Sequence, residues 1–177
     1  MSATPSAVVS RTRTYEYRMA DFDAPAAMTM SGLEYMRALA GGALGVKPSM
    51  ADTLGMGLPK DLEHGAATIE AEAGDFLMNP IGVVHGGFAA TLLDSVMGIA
   101  VHTTLPPATG YTTAELKVNF TRAVLPTSGT LRARGRVIHA GRQMVTADAT
   151  LVGVDDGKLY AHGSTTCFVF QLSGAAS

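Results

Sequence analysis

The sequence predicts an α+β fold in which an antiparallel sheet wraps around one long central helix. The helix is predicted from residues 88–101, fourteen residues that are apolar on nearly every side, as is typical of a buried helix. The sheet is predicted from alternating segments on both sides of this helix, separated by turn residues. Small residues in the helix, such as Ala89 and Gly98, would let the sheet approach it closely.

An N-terminal helical segment is predicted before the sheet. Ser31 and Glu34 have the spacing of a capping box, and Gly41-Gly42 supplies a stop, so we expect a short helix between them. This segment either completes the core or covers a ligand pocket as a lid. The predicted division has three parts: a flexible arm at 1–25, the helical segment at 26–60, and the main domain at 61–173.

The strands follow in chain order. Residues 67–73 alternate Ala67, Ile69 and Ala71 with polar residues, which indicates a half-buried strand before the central helix. Pro106-Pro107 ends the helical region. Four further strands are predicted, joined by short turns as an antiparallel meander: 111–124, 129–140, 143–154 and 158–171.

The composition restricts the function. The 177-residue chain has a net charge of −2 and one cysteine, Cys167. Such a chain has no electrostatic attraction to nucleic acid or anionic lipid, and one cysteine allows no internal disulfide. No apolar stretch is long enough to cross a membrane, and Arg11 and Arg13 are not followed by the apolar region of a secretory signal. We therefore expect a cytoplasmic protein without nucleic-acid or membrane partners.

The chemistry is predicted at the junction between the glycine-rich loop 79–87 and the central helix. A helix that begins near Gly86 presents N–H groups without intrahelical acceptors at its positive end, and such donors can form an oxyanion hole. Asp94 is the only charged residue in the helix. Eight residues separate it from Gly86, which is roughly 12 Å along a helix axis. If both groups act on one carbon, they come from different protomers, so we expect a dimer with the site at its interface.

The spaced pattern at this junction resembles the signature of hotdog-fold thioesterases of the PaaI-like, phenylacetate-degradation type. The residues that carry the resemblance are Asn79, Gly82, His85, Gly86, Gly87 and Asp94. The resemblance covers residues from about 70 to about 170. It implies hydrolysis of an acyl-CoA thioester to free acid and CoA, with aryl-acyl and medium-chain acyl groups both open. It also implies homodimers, often paired into tetramers, and no metal or redox cofactor, since coenzyme A is part of the substrate.

The resemblance also implies a role for each residue of the signature. The Gly86 N–H would polarise the thioester carbonyl, while Gly87 is expected to serve packing. Asp94 would act as general base on water or attack the thioester itself. Asn79 would orient the water or the carbonyl, and His85 would buttress the loop or polarise the thioester.

Residues further along the chain are implied by position. A Ser or Thr at the start of the strand after the helix often positions the water in this family, which points to Thr113, with its neighbour Thr112 as the alternative. Basic residues at strand ends and turns are expected to contact the phosphates of CoA. The candidates are Arg122, Lys117, Gly141 and Arg142.

Two functions from other classes remain open: a hotdog hydratase or dehydratase, and a non-catalytic acyl-CoA-binding module. The typical hydratase pattern around His85 is absent, and residues 1–60 show no clear basic or helix-turn-helix extension for DNA. The motif His-Gly-Gly also begins the oxyanion loop of α/β-hydrolases, but the chain contains no G-x-S-x-G. A triad of Ser95, His85 and Asp94 is excluded because adjacent helical side chains diverge by roughly 100°.

Overall fold

The computed structural model describes residues 9–17, 23–44 and 49–172. Residues 1–8 and 18–22 of the predicted arm lie outside them, so its flexibility stays a prediction; residues 9–17 form no helix or strand. The helices are α1 (Ala24–Thr29), α2 (Gly32–Ala40), α3 (Ser49–Leu54) and α4 (Gly86–His102), with a 3-10 turn at Asp75–Leu77. The strands are β1 (Lys60–Glu63), β2 (Ala66–Glu72), β3 (Thr109–Phe120), β4 (Thr130–Ala140), β5 (Met144–Gly153) and β6 (Leu159–Gln171).

The strands form one antiparallel sheet in the order β1-β2-β4-β5-β6-β3. Strands β4, β5 and β6 make the predicted meander, but the expectation that β3 belongs to the same run of neighbours is wrong. β3 pairs with β6, and β4 takes β2 as its other neighbour. The cause is the connection at 121–129, which contains a Leu125–Ser128 turn and is long enough to carry the chain from one edge to the other side of the sheet.

Helix α4 is the core of the molecule, and the sheet wraps around it with contacts from β2 through β6. Its side chains Leu92, Leu93, Val96 and Met97 are completely buried. A Cβ on Gly135 of β4 would lie 2.7 Å from the Val96 carbonyl oxygen, so a glycine in the sheet permits the close approach here. In the described ranges, neither α4 nor any other helix is long and apolar enough to span a membrane.

The predicted N-terminal helix is α2, and it is anchored to the C-terminal end of α4. Ser31 and Glu34 form the predicted capping box, in which the Ser31 N–H donates to Glu34 Oε2 at 2.8 Å, and the helix ends at Gly41. The Gly32 N–H donates to the Leu105 carbonyl oxygen at 2.9 Å. Because a Cβ on Gly32 would lie 1.7 Å from the His102 carbonyl oxygen, only glycine allows this contact.

Around this junction α1 and α2 form a second, smaller core beside the main one. Its buried members are Ala26, Tyr35, Met36 and Leu39. Tyr35 of α2 is one of these buried residues, and its burial is not predicted from the sequence. The N-terminal helices therefore lie over the far end of α4, opposite to its glycine-rich start.

Candidate active site

The glycine-rich loop ends in a helix start at which one backbone amide is left free. His85 is the N-cap of α4, and its Nδ1 accepts a hydrogen bond from the Gly87 N–H at 2.8 Å. The Phe88 N–H donates to the His85 carbonyl oxygen at 2.9 Å. Within the described part of the chain, the Gly86 N–H has no acceptor. The first amide of α4 is therefore available to a ligand, at the positive end of the helix dipole.

The cap also fixes the protonation pattern of His85. Because Nδ1 accepts a hydrogen bond, the neutral ring carries its proton on Nε2 and can donate from that atom. A Cβ on Gly87 would lie 2.9 Å from His85 Nδ1, so the missing side chain of Gly87 permits the cap. Gly82 supplies the turn before it, with φ of 83° in the left-handed region.

Asn79 folds the loop through its side-chain carbonyl. Its Oδ1 accepts from the Ile81 N–H at 3.1 Å and from the Val83 N–H at 3.3 Å. This oxygen is engaged in an Asx-type turn, while the Nδ2 group makes no hydrogen bond with the described residues. The amide nitrogen is thus the atom of Asn79 that remains for a ligand.

A cavity of about 320 Å³ brings together four of the residues that the sequence predicts as site residues. They are Asn79, His85, Gly86 and Arg122. The Arg122 side chain is exposed and makes no ion pair among the described residues. Phe120 and Tyr160 also line the cavity. A Cβ on Gly86 would lie 3.3 Å from the Phe120 ring, so this ring lies next to the Cα of Gly86.

Asp94 lies elsewhere in the protomer, against the start of β3. The Thr113 Oγ1 donates to Asp94 Oδ1 at 3.1 Å. Thr113 pairs with the buried Cys167 on the sheet face toward α4, whereas Thr112 pairs with the exposed Phe168 on the opposite face. Of the two threonines, Thr113 is therefore the one that orients the Asp94 carboxylate.

The surroundings of Asp94 contain no charged partner among the described residues. Burial raises the pKa of the Tyr111 phenol, and the neighbouring Cys167 and Asp94 act in the same direction. Burial also raises the pKa of the Cys167 thiol, and Asp94 contributes, although hydrogen bonds from Thr165 and Thr113 oppose it. Both groups are therefore neutral at pH 7. Asp94 is the one group of this cluster that can accept a proton.

The three remaining predicted contacts do not reach the cavity in one protomer. Lys117 lies on the sheet face away from α4, because it pairs with Ser164 between the buried positions Thr165 and Gly163. Gly141 and Arg142 lie at the β4–β5 turn, at the same end of the sheet as Thr109 of β3, with β6 between them. The cavity lies at the Phe120 end of the same strand.

The described residues hold no group of three or more His, Cys, Asp or Glu side chains that could bind a metal. The sequence alone predicts no role for Phe120, Tyr160 or Tyr111. Phe120 is the last residue of β3. It lies two residues after Val118, so both side chains are predicted on the same side of the sheet. Its contact with Gly86 is not predictable, because it depends on the path of the loop.

Comparisons with known proteins give the family. A profile of the Thioesterase superfamily matches residues 81–160, which include the loop, α4 and β3 to β5. A protein of Halobacterium salinarum that carries the name of an esterase is 38% identical over 73 residues, or 40% of this chain. That match covers 46% of the relative, so this chain spans less than half of the relative's length.

Two solved structures share the fold over most of their length. A phenylacetic acid degradation-related protein of Ralstonia eutropha JMP134, described by its name as a thioesterase, is 30% identical with a TM-score of 0.68. This match covers 76% of the present chain and 98% of the other. The smu.793 protein of Streptococcus mutans UA159, solved with acetyl-CoA bound, is 26% identical with a TM-score of 0.58, over 64% of this chain and 88% of the other. The chain therefore belongs to the thioesterase superfamily, a family of thioester hydrolases, and has the hotdog fold that the signature around Gly86 predicts.

Proposed function

We propose that this protein hydrolyses an acyl-CoA thioester at a site shared by two protomers. The observation that carries the proposal is the Gly86 N–H, which has no acceptor among the described residues and belongs to a residue that lines a cavity at the N-terminus of α4. A thioester carbonyl develops negative charge on oxygen when its carbon is attacked. A preorganised N–H at a helix N-terminus stabilises that charge without reorganisation.

The loop supplies a second donor. The His85 Nε2–H can donate to the same carbonyl oxygen or to the thioester sulfur, because the cap at Nδ1 fixes the proton on Nε2. The same cap disfavours the hydratase alternative, in which a histidine acts as base, since a base needs a free lone pair on the nitrogen that faces the substrate.

Asp94 is proposed to activate the nucleophile. In the general-base route, Asp94 takes a proton from water while the water oxygen bonds to the carbonyl carbon. The C–S bond then breaks, and the sulfur of CoA leaves with the proton. In the alternative route, the carboxylate itself attacks the carbonyl carbon, the C–S bond breaks and the CoA thiolate leaves. Water then hydrolyses the resulting anhydride to the free acid and the Asp94 carboxylate, and a proton from this water goes to the thiolate. A single turnover in heavy-oxygen water distinguishes them, because only the anhydride route can leave the label on the protein.

The exposed edge of β3 supports a shared site. β3 is an edge strand of twelve residues, and Leu116 and Phe120 on its α4 side are partly exposed. A long edge strand with unpaired backbone groups and exposed apolar side chains is suited to pairing with a second strand. Two β3 strands related by a two-fold axis run antiparallel, so the Phe120 end of one faces the Tyr111 end of the other. Within one chain, Gly86 and Asp94 are too far apart to act on the same carbon. Such pairing would bring the partner's Asp94 toward the Gly86 cavity instead.

The same pairing supports CoA as the thiol carrier. The β4–β5 turn with Gly141 and Arg142 lies at the Thr109 end of β3, so pairing would bring the partner's turn toward the cavity that holds Arg122. Two arginines on one side of the cavity suit the phosphates of a nucleotide. The bound acetyl-CoA of the Streptococcus mutans relative supports this substrate class.

The test is thiol release from a panel of aromatic and aliphatic acyl-CoAs, with the wild type compared with Asp94→Asn. Asn keeps the shape and removes the base, so we expect a loss of about 100-fold or more in kcat. Glu16→Gln, an exposed carboxylate outside the sheet, is the matched control and should leave turnover unchanged. Turnover that survives in Asp94→Asn would refute the assignment. A wild type that hydrolyses no thioester would favour the binding-module or hydratase alternatives.

A further inference from the structure

Three contacts, at successive levels along α4, join this helix to β3. At the first level Thr113 contacts Asp94. One turn further along α4, the Tyr111 hydroxyl lies against Gly98, where an added Cβ would be 2.5 Å from the oxygen. At the third level the His102 ring lies between Tyr111 and Tyr35, with ring centroids 5.8 and 5.5 Å away.

Tyr111 makes the second of these contacts. Its ring lies on the α4 face of β3, two residues before Thr113, and its hydroxyl makes no hydrogen bond with any described residue. The hydroxyl therefore occupies the space beside Gly98 without a bond that would explain its position. Gly98 is the α4 residue that makes room for it, since any larger residue would collide with the oxygen.

A second cavity of about 240 Å³ lies behind Tyr111. It is lined by Ala27, Met30, Tyr35, His102 and Phe170, together with the other side of Tyr111. Ala27 and Met30 belong to the segment around α1, and Tyr35 belongs to α2. This wall lies outside residues 81–160, the part that matches the family profile. The cavity thus depends on the N-terminal segment of this chain.

We infer that Tyr111 is the floor of the acyl pocket and limits the length of the acyl group, an inference that rests on the proposed thioesterase function. An acyl group whose carbonyl lies next to Asp94 would extend along α4 toward Gly98 and meet the Tyr111 ring. Acyl groups that end before this ring fit. Longer chains would need the cavity that Tyr111 lines together with the N-terminal segment.

The test compares kcat/KM across straight-chain acyl-CoAs from acetyl to dodecanoyl for the wild type, Tyr111→Ala and Tyr111→Phe. Tyr111→Ala would open the second cavity toward Asp94, so we expect kcat/KM for the longer chains to rise by roughly tenfold or more relative to the short ones. Tyr111→Phe keeps the ring and should keep the wild-type length profile. A profile that is the same in the wild type and Tyr111→Ala would refute the inference.

Two further variants keep the inference testable if Tyr111→Ala does not fold or changes more than the cavity. If Tyr111→Ala does not fold, Tyr111→Val, a good strand residue, shortens the side chain and should shift the profile in the same direction. In the Tyr111→Ala background, Ala27→Leu fills the cavity from α1 and should restore the preference for short chains. A wild type without thioesterase activity would refute the proposed function instead, so the two failures are distinguishable.

Discussion

Replacing Gly86 by proline removes the proposed oxyanion donor and changes little else. Gly86 is the first residue of α4, a position where proline is favoured because its missing N–H bonds to no helical carbonyl. The preceding residue also accepts this change, since His85 has φ of −62° and ψ of 133°, the extended conformation that proline requires before it. The helix therefore loses no hydrogen bond.

The expected effect comes from the chemistry of the free amide. Loss of one oxyanion-hole donor lowers kcat by about 100- to 1,000-fold, or roughly 3 to 4 kcal/mol of transition-state stabilisation. The added ring atoms begin 3.3 Å from the Phe120 ring, which is 57% exposed and can move aside. Gly86→Ala is the matched control, because it introduces the same Cβ and keeps the N–H.

The assay is thiol release under saturating acyl-CoA, with the melting temperature of each variant recorded beside it. We expect Gly86→Ala to retain most of kcat and Gly86→Pro to lose it, while both melt close to the wild type. Equal activity in the two variants would show that the Gly86 amide does not stabilise the transition state. Equal loss in both would assign the effect to the Cβ and its contact with Phe120.

Co-expression of Asp94→Asn with Gly86→Pro tests the shared site. Half of the dimers contain one chain of each kind, and each of these dimers holds one unaltered site of two, so we expect about a quarter of wild-type activity. A site formed within one protomer would give no activity. Thr113→Val removes the bond to Asp94 and should lower kcat by about tenfold or more, while Thr113→Ser should retain it. Burial lowers the pKa of His102, so below its ordinary pKa of about 6.5 the unfolded chain binds a proton that the native chain does not. The wild type should therefore lose more stability than His102→Phe when the pH falls from about 7.5 to 5.5, as measured by urea unfolding, and the exposed His162→Gln should behave as the wild type.

Much of the fold follows from local patterns. The apolar run around Leu92 predicts α4, the capping box predicts α2, and the turn residues predict β4, β5 and β6 to within one residue at each end. These features depend on chemistry within a few residues along the chain. The short strand β1 carries too few residues for a pattern and is not predicted.

The position of β3 and the contacts of Tyr111 could not be predicted in the same way. Strand order depends on which edges meet after the chain has passed through α4, and alternation along one strand does not contain this information. In the loop, the sequence predicts Gly86 as the donor. It does not predict that the His85 side chain caps the Gly87 N–H and leaves the Gly86 N–H free. Asn79 is likewise predicted to act on the substrate, and this stays a prediction for its side-chain nitrogen; the sequence does not show that its oxygen also folds the loop.

If two chains pair along β3 as proposed, activity depends on the concentration of the protein. Within one protomer, strands β2 to β6 already pack around α4 and bury its apolar side chains, so we expect the fold of a protomer to persist without a partner. The proposed site, by contrast, needs the Gly86 amide of one chain and the Asp94 carboxylate of another. Mass action then separates the two properties: on dilution, specific activity falls with the population of dimer while the helical signal of α4 persists. In a cell, the amount of this protein would set both the number of its sites and the fraction of chains that can use them.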